Sequence, residues 1–191
     1  MIDINLEMFK MINGFAGRIM LLDKSMIVLS TFIPVLFMIS LIGFYLYGII
    51  KKSQMVRISV VNILIFTTIN LLISYIIGLV YFVPRPFIGS KVNLLFNHIP
   101  DASFPSDHAV GTMSIAIGIY GVNKIFGKLL IAISIFVGIS RVYVGHHYPF
   151  DVIGGYLIVL LMNVIYSKTI RRNVSTLYLK VEKLLYASIK V

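Results

Sequence analysis

Long uncharged stretches separated by short charged ones dominate the pattern of this chain. Residues 25–50 and 58–83 contain no Asp, Glu, Lys or Arg, and each exceeds the roughly 20 residues that a membrane-spanning helix needs. Three further apolar runs lie at 109–122, 129–144 and 150–167, and only Arg141 and Asp151 interrupt them. The pattern predicts an all-α integral membrane protein, a bundle of about five transmembrane helices.

Amphipathic segments flank the predicted bundle. In residues 1–24, apolar positions recur at helical spacing between charges, which is typical of a helix in the membrane interface or of a short helix packed on the protein's own surface. The charges there argue against a cleavable signal peptide. Residues 168–191 are basic with an apolar stripe and predict a second interfacial helix. We therefore expect one domain over 1–191, with a transmembrane core at 25–167.

Composition supports a membrane protein. Hydrophobic residues make up 59% of the 191 residues and charged residues 13%, about half the charged share of a soluble domain. The net charge of +10 is spread between and after the apolar runs, so nucleic acid is not the expected partner. Cysteine is absent, which excludes disulfides and thiol chemistry.

The distribution of Lys and Arg predicts the topology. With five spans, the 51–57 and 123–128 loops and the tail hold eleven of these cations, and the other face holds six. Cytoplasmic loops carry the excess of Lys and Arg. We therefore expect a cytoplasmic C-terminus and an external N-terminus, with residues 84–108 and 140–151 on the external face.

Those external stretches carry ionisable residues at membrane edges, where they are costly and usually functional. Arg85 and Arg141 offer planar guanidinium groups that fit phosphate oxygens. Ser106 is a preferred N-cap residue before the third apolar run, and His108 falls in its first turn. A helix N-terminus binds anions through free N–H groups. Asp107 would repel a phosphate unless it points away or contacts another part of the substrate.

Two adjacent histidines, His146 and His147, are candidate nucleophiles. Asp151 stands four residues after His147 and could accept a proton from one imidazole nitrogen, leaving the other free to attack. A structural network that ties two helix ends together is the alternative. Metal binding competes for the same residues, but there is no compact ligand pair and the two arginines favour an anion. His98 is expected to be a loop residue near the substrate's access route.

These motifs resemble those of the type 2 phosphatidic acid phosphatase superfamily. Pro105-Ser106-Asp107-His108 matches Pro-Ser-x-His, and residues 140–151 match Ser-Arg-x5-His-x3-Asp. The first signature, Lys-x6-Arg-Pro, is matched only by Arg85-Pro86, because Gly78 stands at the Lys position; Lys91 is a candidate replacement. Residues 80–87, 101–108 and 144–149 also resemble the bacitracin-resistance type of bacterial undecaprenyl-diphosphatases.

The resemblance implies a metal-independent phosphatase without a cofactor. It implies that His147 is the nucleophile, Asp151 its orienting carboxylate, and His108 the acid and base. It further implies that Arg85, Ser106 and Arg141, with backbone N–H groups near residues 107–108, bind the substrate phosphate, and we group Asp107 with these residues. The expected substrate is a polyprenyl diphosphate at the outer face of a bacterial cell membrane. Another lipid phosphate, or an anion or lipid-phosphate transporter without enzymatic activity, remains an alternative.

Overall fold

Eight α-helices form this protein in a computed structural model that describes residues 3–88 and 91–189, without the side chains of 186–189. Within those residues there is no strand, which confirms the predicted all-α architecture. Residues 1–2 and 190–191 of the predicted terminal helices, and the side chain of Ile189, lie outside this description. The helices are α1 (Ile4–Asn13), α2 (Met20–Thr31), α3 (Ile33–Ile50), α4 (Gln54–Val80), α5 (Asp107–Tyr120), α6 (Lys124–Tyr143), α7 (Pro149–Thr169) and α8 (Arg171–Ile189).

Four of the described helices, α3, α4, α6 and α7, are long and apolar enough to cross a membrane. The third predicted span, the shortest of the five, is the 14-residue helix α5, which is about 21 Å long at 1.5 Å per residue and shorter than the ~30 Å hydrocarbon core. Helix α5 packs against α4, α6 and α7, and Ala109, Val110 and Ala116 on it are fully buried. It is therefore a short helix inside the bundle.

The N-terminal part differs from the predicted single helix over 1–24 followed by a span from residue 25. Helix α1 ends at Asn13, and Gly17 takes a positive φ of 79° in the turn before α2. Helix α2 ends at Thr31 and α3 begins at Ile33. Pro34 has no N–H to bond the carbonyl of Ser30, which interrupts one continuous helix at this point.

The outer faces of the four long helices are apolar, as lipid contact requires. Leu36, Leu72, Phe136 and Leu160 are each more than half exposed, and a soluble monomer rarely exposes apolar surface of this extent. Between the helices, polar side chains pair across the interfaces. Hydrogen bonds join Asn70 to Ser114 and Thr112 to Ser134; such contacts in a membrane are worth roughly 0.6 kcal/mol each.

The five consecutive helices from α3 to α7 alternate in direction, so the connections gather at two ends. Turns at 51–53 and 121–123 lie at one end, where α8 packs on α4 and α7. The 81–106 segment and the 144–148 turn lie at the other end. All the sequence motifs belong to this second end, which we call the motif end.

Candidate active site

The turn between α6 and α7 is tied to the long α4–α5 connection through α1. The Asn13 amide donates to the carbonyls of Tyr143 (2.8 Å) and Asn93 (2.9 Å), and its oxygen accepts from the Asn93 N–H (2.9 Å). Gly145 has a φ of +91° and lies against Asn93, where a Cβ would approach the carbonyl oxygen to 3.3 Å. A glycine therefore fits both the backbone conformation and the close approach, and the turn is held rigidly beside the connection.

The imidazole of His147 lies between a carbonyl and a guanidinium group. Its Nδ1 is 2.8 Å from the carbonyl oxygen of Ser103, and its Nε2 is 3.0 Å from Nη1 of Arg85. A carbonyl only accepts and an arginine only donates, so Nδ1 carries the proton and Nε2 presents its lone pair. Burial, with the positive charges of Arg141 and Arg85 adding to it, holds the pKa of His147 well below its ordinary value. The ring is therefore neutral and suited to nucleophilic attack through Nε2.

The predicted hydrogen bond between His147 and Asp151 is wrong in its detail. The Asp151 Oδ2 atom is 3.6 Å from Nδ1, beyond hydrogen-bonding distance. It accepts instead from the Ser103 hydroxyl (2.5 Å) and from the N–H of Tyr148 (2.8 Å), at the start of α7. The carboxylate caps its own helix and fixes Ser103, whose carbonyl then orients the imidazole. Asp151 still places a negative charge close to the ring.

Arg85 connects the nucleophile to a loop carboxylate. Its Nε donates to Oδ1 of Asp101 at 2.6 Å, and its Nη1 donates to the carbonyl of His146 at 3.0 Å as well as facing His147. The Arg85 side chain is 5% exposed and that of Asp101 is 56% exposed. Partial burial alone would raise the pKa of Asp101, but the hydrogen bond and charge of Arg85 hold it below the ordinary value.

Arg141 is buried with most of its donors unused. Its Nη1 donates to the hydroxyl of Ser30 at 2.9 Å. Within the described residues, its Nε and Nη2 have no partner, and the buried hydroxyl of Ser106 has none either. Since buried polar groups are normally satisfied, unpaired donors from two different helices indicate a place for an acceptor such as a phosphoryl group.

The N-terminus of α5 adds further donors. Ser106 is the N-cap residue, as predicted, but its hydroxyl makes no capping bond. Its backbone N–H donates to the carbonyl of Asp151 at 3.1 Å, and the first intrahelical bond runs from Val110 to Ser106. The backbone N–H groups of residues 107–109 therefore precede the helical ladder and remain available to an anion.

His108 and Asp107 face different surroundings. His108 is half-buried and lines a cavity of about 210 Å³ with Pro34 and Leu71. The carboxylate of Asp107 accepts a 2.6 Å hydrogen bond from the hydroxyl of Ser74 on α4. The prediction that Asp107 points away from the phosphate or contacts another part of the substrate agrees with this position. Its assignment to phosphate binding stays a prediction.

The other two histidines, His146 of the α6–α7 turn and His98 of the α4–α5 connection, pack against each other. The ring of His146 is fully buried, with Nε2 2.9 Å from the carbonyl of Phe96. It stacks edge-on against Phe96 and against His98, with ring centroids 4.4 Å and 4.6 Å apart. The N–H of His98 Nδ1 can bond the carbonyl of Ile99 at 3.0 Å. Only His147 of the two adjacent histidines has its ring between Arg85 and Ser103.

Gly78 occupies the position where the resembled family has a lysine. A Cβ built on Gly78 would lie 3.2 Å from the Cβ of Ala102, so any side chain at this position would press on the α4–α5 connection. The candidate replacement, Lys91, has an exposed side chain. Arg85 and Arg141 are the cations that the fold places around the nucleophile.

Three residues that contribute to the site were not identified from the sequence: Ser30, Asp101 and Ser103. Asp101 and Ser103 carried a signal, because they lie directly before Ser106 in a long polar connection. Ser30 carried none, since it is one serine inside an uncharged run. Among the described residues, no three His, Asp or Glu side chains gather into a potential metal site.

Known phosphatases resemble this chain over most of its length. The chain is 35% identical over 164 residues to undecaprenyl-diphosphatase BcrC of Bacillus subtilis, covering 86% of this chain and 83% of that protein. It is similar to the crystal structure of Aquifex aeolicus LpxE, with a TM-score of 0.71 and 26% identity over 86% of this chain and 94% of that one. The PAP2-type phosphatidylglycerolphosphate phosphatase of Bacillus subtilis shares the fold, with a TM-score of 0.57, 22% identity and coverage of 86% and 87%.

The family profile named PAP2 superfamily matches residues 59–175. That range includes α5 and the turn before α7, so it contains both of the complete motifs that surround His147. A profile match over more than half of the 191 residues, together with 35% identity to a named phosphatase, establishes the relationship. This chain belongs to the PAP2 superfamily and is a multi-pass membrane lipid phosphatase.

Proposed function

We propose that this protein hydrolyses undecaprenyl diphosphate to undecaprenyl phosphate and inorganic phosphate at the external face of the cell membrane. The observation that carries the proposal is the neutral His147, whose Nε2 lone pair is held beside Arg85. The similarity to BcrC supports the diphosphate substrate. The excess of Lys and Arg at the opposite end of the bundle supports an external motif end.

The steps of the reaction are assigned from the roles that the family's motifs imply for these residues. Nε2 of His147 attacks the terminal phosphorus, and the bond to the bridging oxygen breaks, so undecaprenyl phosphate leaves with both bonding electrons. His108 donates a proton to that oxygen and then accepts one from the water that cleaves the phosphohistidine. Arg141, Ser106 and the first N–H groups of α5 stabilise the charge on the transferring oxygens, which is the largest catalytic contribution in such reactions.

Arg85 has a second role in this scheme. It bonds Nε2 of His147 while no phosphoryl group is bound, which satisfies a buried lone pair. Phosphoryl oxygens are stronger acceptors for a guanidinium than an imidazole nitrogen is. Arrival of the diphosphate therefore draws Nη1 from Nε2 to oxygen and exposes the nucleophile to the phosphorus.

Two apolar cavities beside α5 suit the isoprenoid chain. One of about 210 Å³ is lined by Pro34, Met38 and Ile115, and another of about 220 Å³ by Leu79 and Phe82. Both extend to Asp107 at the start of α5, so a lipid tail in either one leaves its head group near the donors.

The test is phosphate release from undecaprenyl diphosphate by detergent-purified protein in the presence of a chelator. We expect release by the wild type, none by His147→Ala, and a trapped phosphohistidine in the wild type. Phosphatidylglycerophosphate is offered in parallel, because a solved relative of this fold is named for it. Normal release by a correctly inserted His147→Ala variant would contradict the proposal, and release from the second lipid alone would reassign the substrate.

A further inference from the structure

The guanidinium group of Arg141 is held from one side only. Its side chain is 2% exposed, and within the described residues it forms no ion pair. The one hydrogen bond that it makes there runs from Nη1 to the hydroxyl of Ser30, and Nε and Nη2 have no partner. A buried cation without a carboxylate is costly, so this arrangement must have another reason.

The unpaired atoms are the two that recognise an anion together. In a guanidinium group, Nε and Nη2 share one edge with parallel N–H bonds, and Nη1 lies on the far side. Two parallel N–H donors match two oxygens of a phosphoryl group. The bond to Ser30 therefore uses the donor that this bidentate edge does not need, and it stops the group from rotating its edge out of the site.

The position of Ser30 fits this task. It is fully buried, in the last turn of α2, and it lies outside the residues 59–175 that match the family profile. Helix α2 packs on α6, which brings the hydroxyl to Arg141 across 111 positions of sequence. Helix α2 ends at Thr31 and α3 begins at Ile33. Ser30 therefore lies in a helix that is separate from the long helix α3.

We propose that Ser30 is a positioning residue for phosphate binding, which holds Nη1 of Arg141 so that the Nε and Nη2 edge faces the phosphoryl oxygens. This inference rests on the proposed function of the site. It assigns to the N-terminal segment a part in catalysis that none of the three sequence motifs contains. Ser30 touches Arg141 and acts on the substrate through it.

The experiment compares Ser30→Ala with Ser25→Ala in the same helix, where the Ser25 hydroxyl is exposed and bonds its own helix at Leu21. Two quantities are measured for each variant: kcat and KM for undecaprenyl diphosphate, and the concentration of inorganic phosphate that protects the protein against thermal unfolding. For Ser30→Ala we expect kcat/KM about tenfold lower and phosphate affinity about tenfold weaker, the effect of one lost hydrogen bond to a charged group. Ser25→Ala should match the wild type.

A cycle of variants separates positioning from a structural role. If Ser30 acts through Arg141, Ser30→Ala changes phosphate affinity in the wild type but not in an Arg141→Ala background. Equal losses in both backgrounds, or no loss in the wild type, would overturn the inference. Because alanine favours helix, folding of Ser30→Ala is expected, and its unfolding temperature without phosphate checks this.

Failure of the proposed function gives a different result. In that case the wild type releases no phosphate from undecaprenyl diphosphate, whereas the phosphate titration needs no substrate. The titration therefore tests Ser30 even when another lipid phosphate is the true substrate.

Discussion

Two buried arginines at opposite ends of the bundle differ in whether the protein supplies partners for their charge. Arg57, at the end distant from the motifs, donates to Glu182 at 2.7 Å and to the carbonyl of Gly48 at 2.9 Å. Arg141, at the motif end, has no carboxylate partner among the described residues and leaves two donors unpaired. Both side chains are less than one tenth exposed, so burial does not distinguish them.

The difference between the two lies in what completes each site. The Glu182 carboxylate also accepts from Gln54 and Tyr178, which closes a network between α4 and α8. This network needs nothing from outside the protein and fixes α8 to the bundle. The Arg141 site is complete only when an anion arrives. Pairing, rather than burial, therefore separates a structural arginine from one that binds a ligand.

The contrast between the two arginines is tested most severely by the variant Arg141→Met. We expect kcat/KM to fall by at least about 100-fold, since a main donor to the transferring phosphoryl group is lost. Stability should stay equal or rise, because an uncompensated buried charge is removed. Activity on undecaprenyl diphosphate and thermal unfolding in detergent are the measurements. A large loss of stability would place Arg141 with Arg57 as a structural residue.

The reciprocal change is Arg57→Met. It leaves the Glu182 carboxylate buried without its cation, which costs about 3–5 kcal/mol when such a pair is broken. We expect a clearly lower unfolding temperature and, for the protein that remains folded, an unchanged kcat. The double variant Arg57→Met/Glu182→Leu should recover much of the stability. A drop in kcat without loss of stability would show that this network communicates with the motif end.

The pH dependence of activity sharpens the assignment of the nucleophile. Burial and two nearby arginines lower the pKa of His147, so the free enzyme keeps a neutral imidazole as pH falls through the ordinary histidine value of about 6.5. Protonation at still lower pH abolishes attack. We expect kcat/KM to be retained at pH 6.5. It should fall only at lower pH, where His147 becomes protonated. The result would contradict a depressed pKa of His147 if kcat/KM fell to half near pH 7 and the same fall persisted in variants of the other histidines.

The smallest expected effect is that of Asp101→Asn. Asp101 is more than half exposed and pairs with Arg85, and exposed pairs of this kind are worth about 0–1 kcal/mol. Removing its charge leaves more of the Arg85 charge available to an anion. We expect inorganic phosphate to inhibit up to about fivefold more strongly, with unchanged stability. Weaker inhibition would mean that Asp101 is needed to orient Arg85 rather than to compete with phosphate.

The architecture could be predicted from the sequence because each long membrane-spanning helix corresponds to one continuous run of apolar residues. Uncharged runs predicted the long helices, and the motif residues marked which ends would meet. The short length of α5 was visible in the 14 apolar residues at 109–122. The break at Phe32 was also readable from Pro34, which cannot continue the hydrogen-bond ladder of α2.

Contacts between distant segments could not be predicted in the same way. The spacing of His147 and Asp151 suggested a direct hydrogen bond, yet Nδ1 donates its hydrogen bond to a carbonyl 44 residues away. Backbone carbonyls leave no mark in a sequence, because every residue has one. Ser30 was equally invisible, since its role depends on the packing of α2 against α6.

The tight contact between Gly78 and Ala102 bears on how members of this family are identified. A Cβ at position 78 would lie 3.2 Å from the Cβ of Ala102, so the absence of a side chain there suits the position of the neighbouring loop. A search pattern that demands lysine seven residues before Arg85 would reject this chain, although the charges and donors that surround His147 are in place.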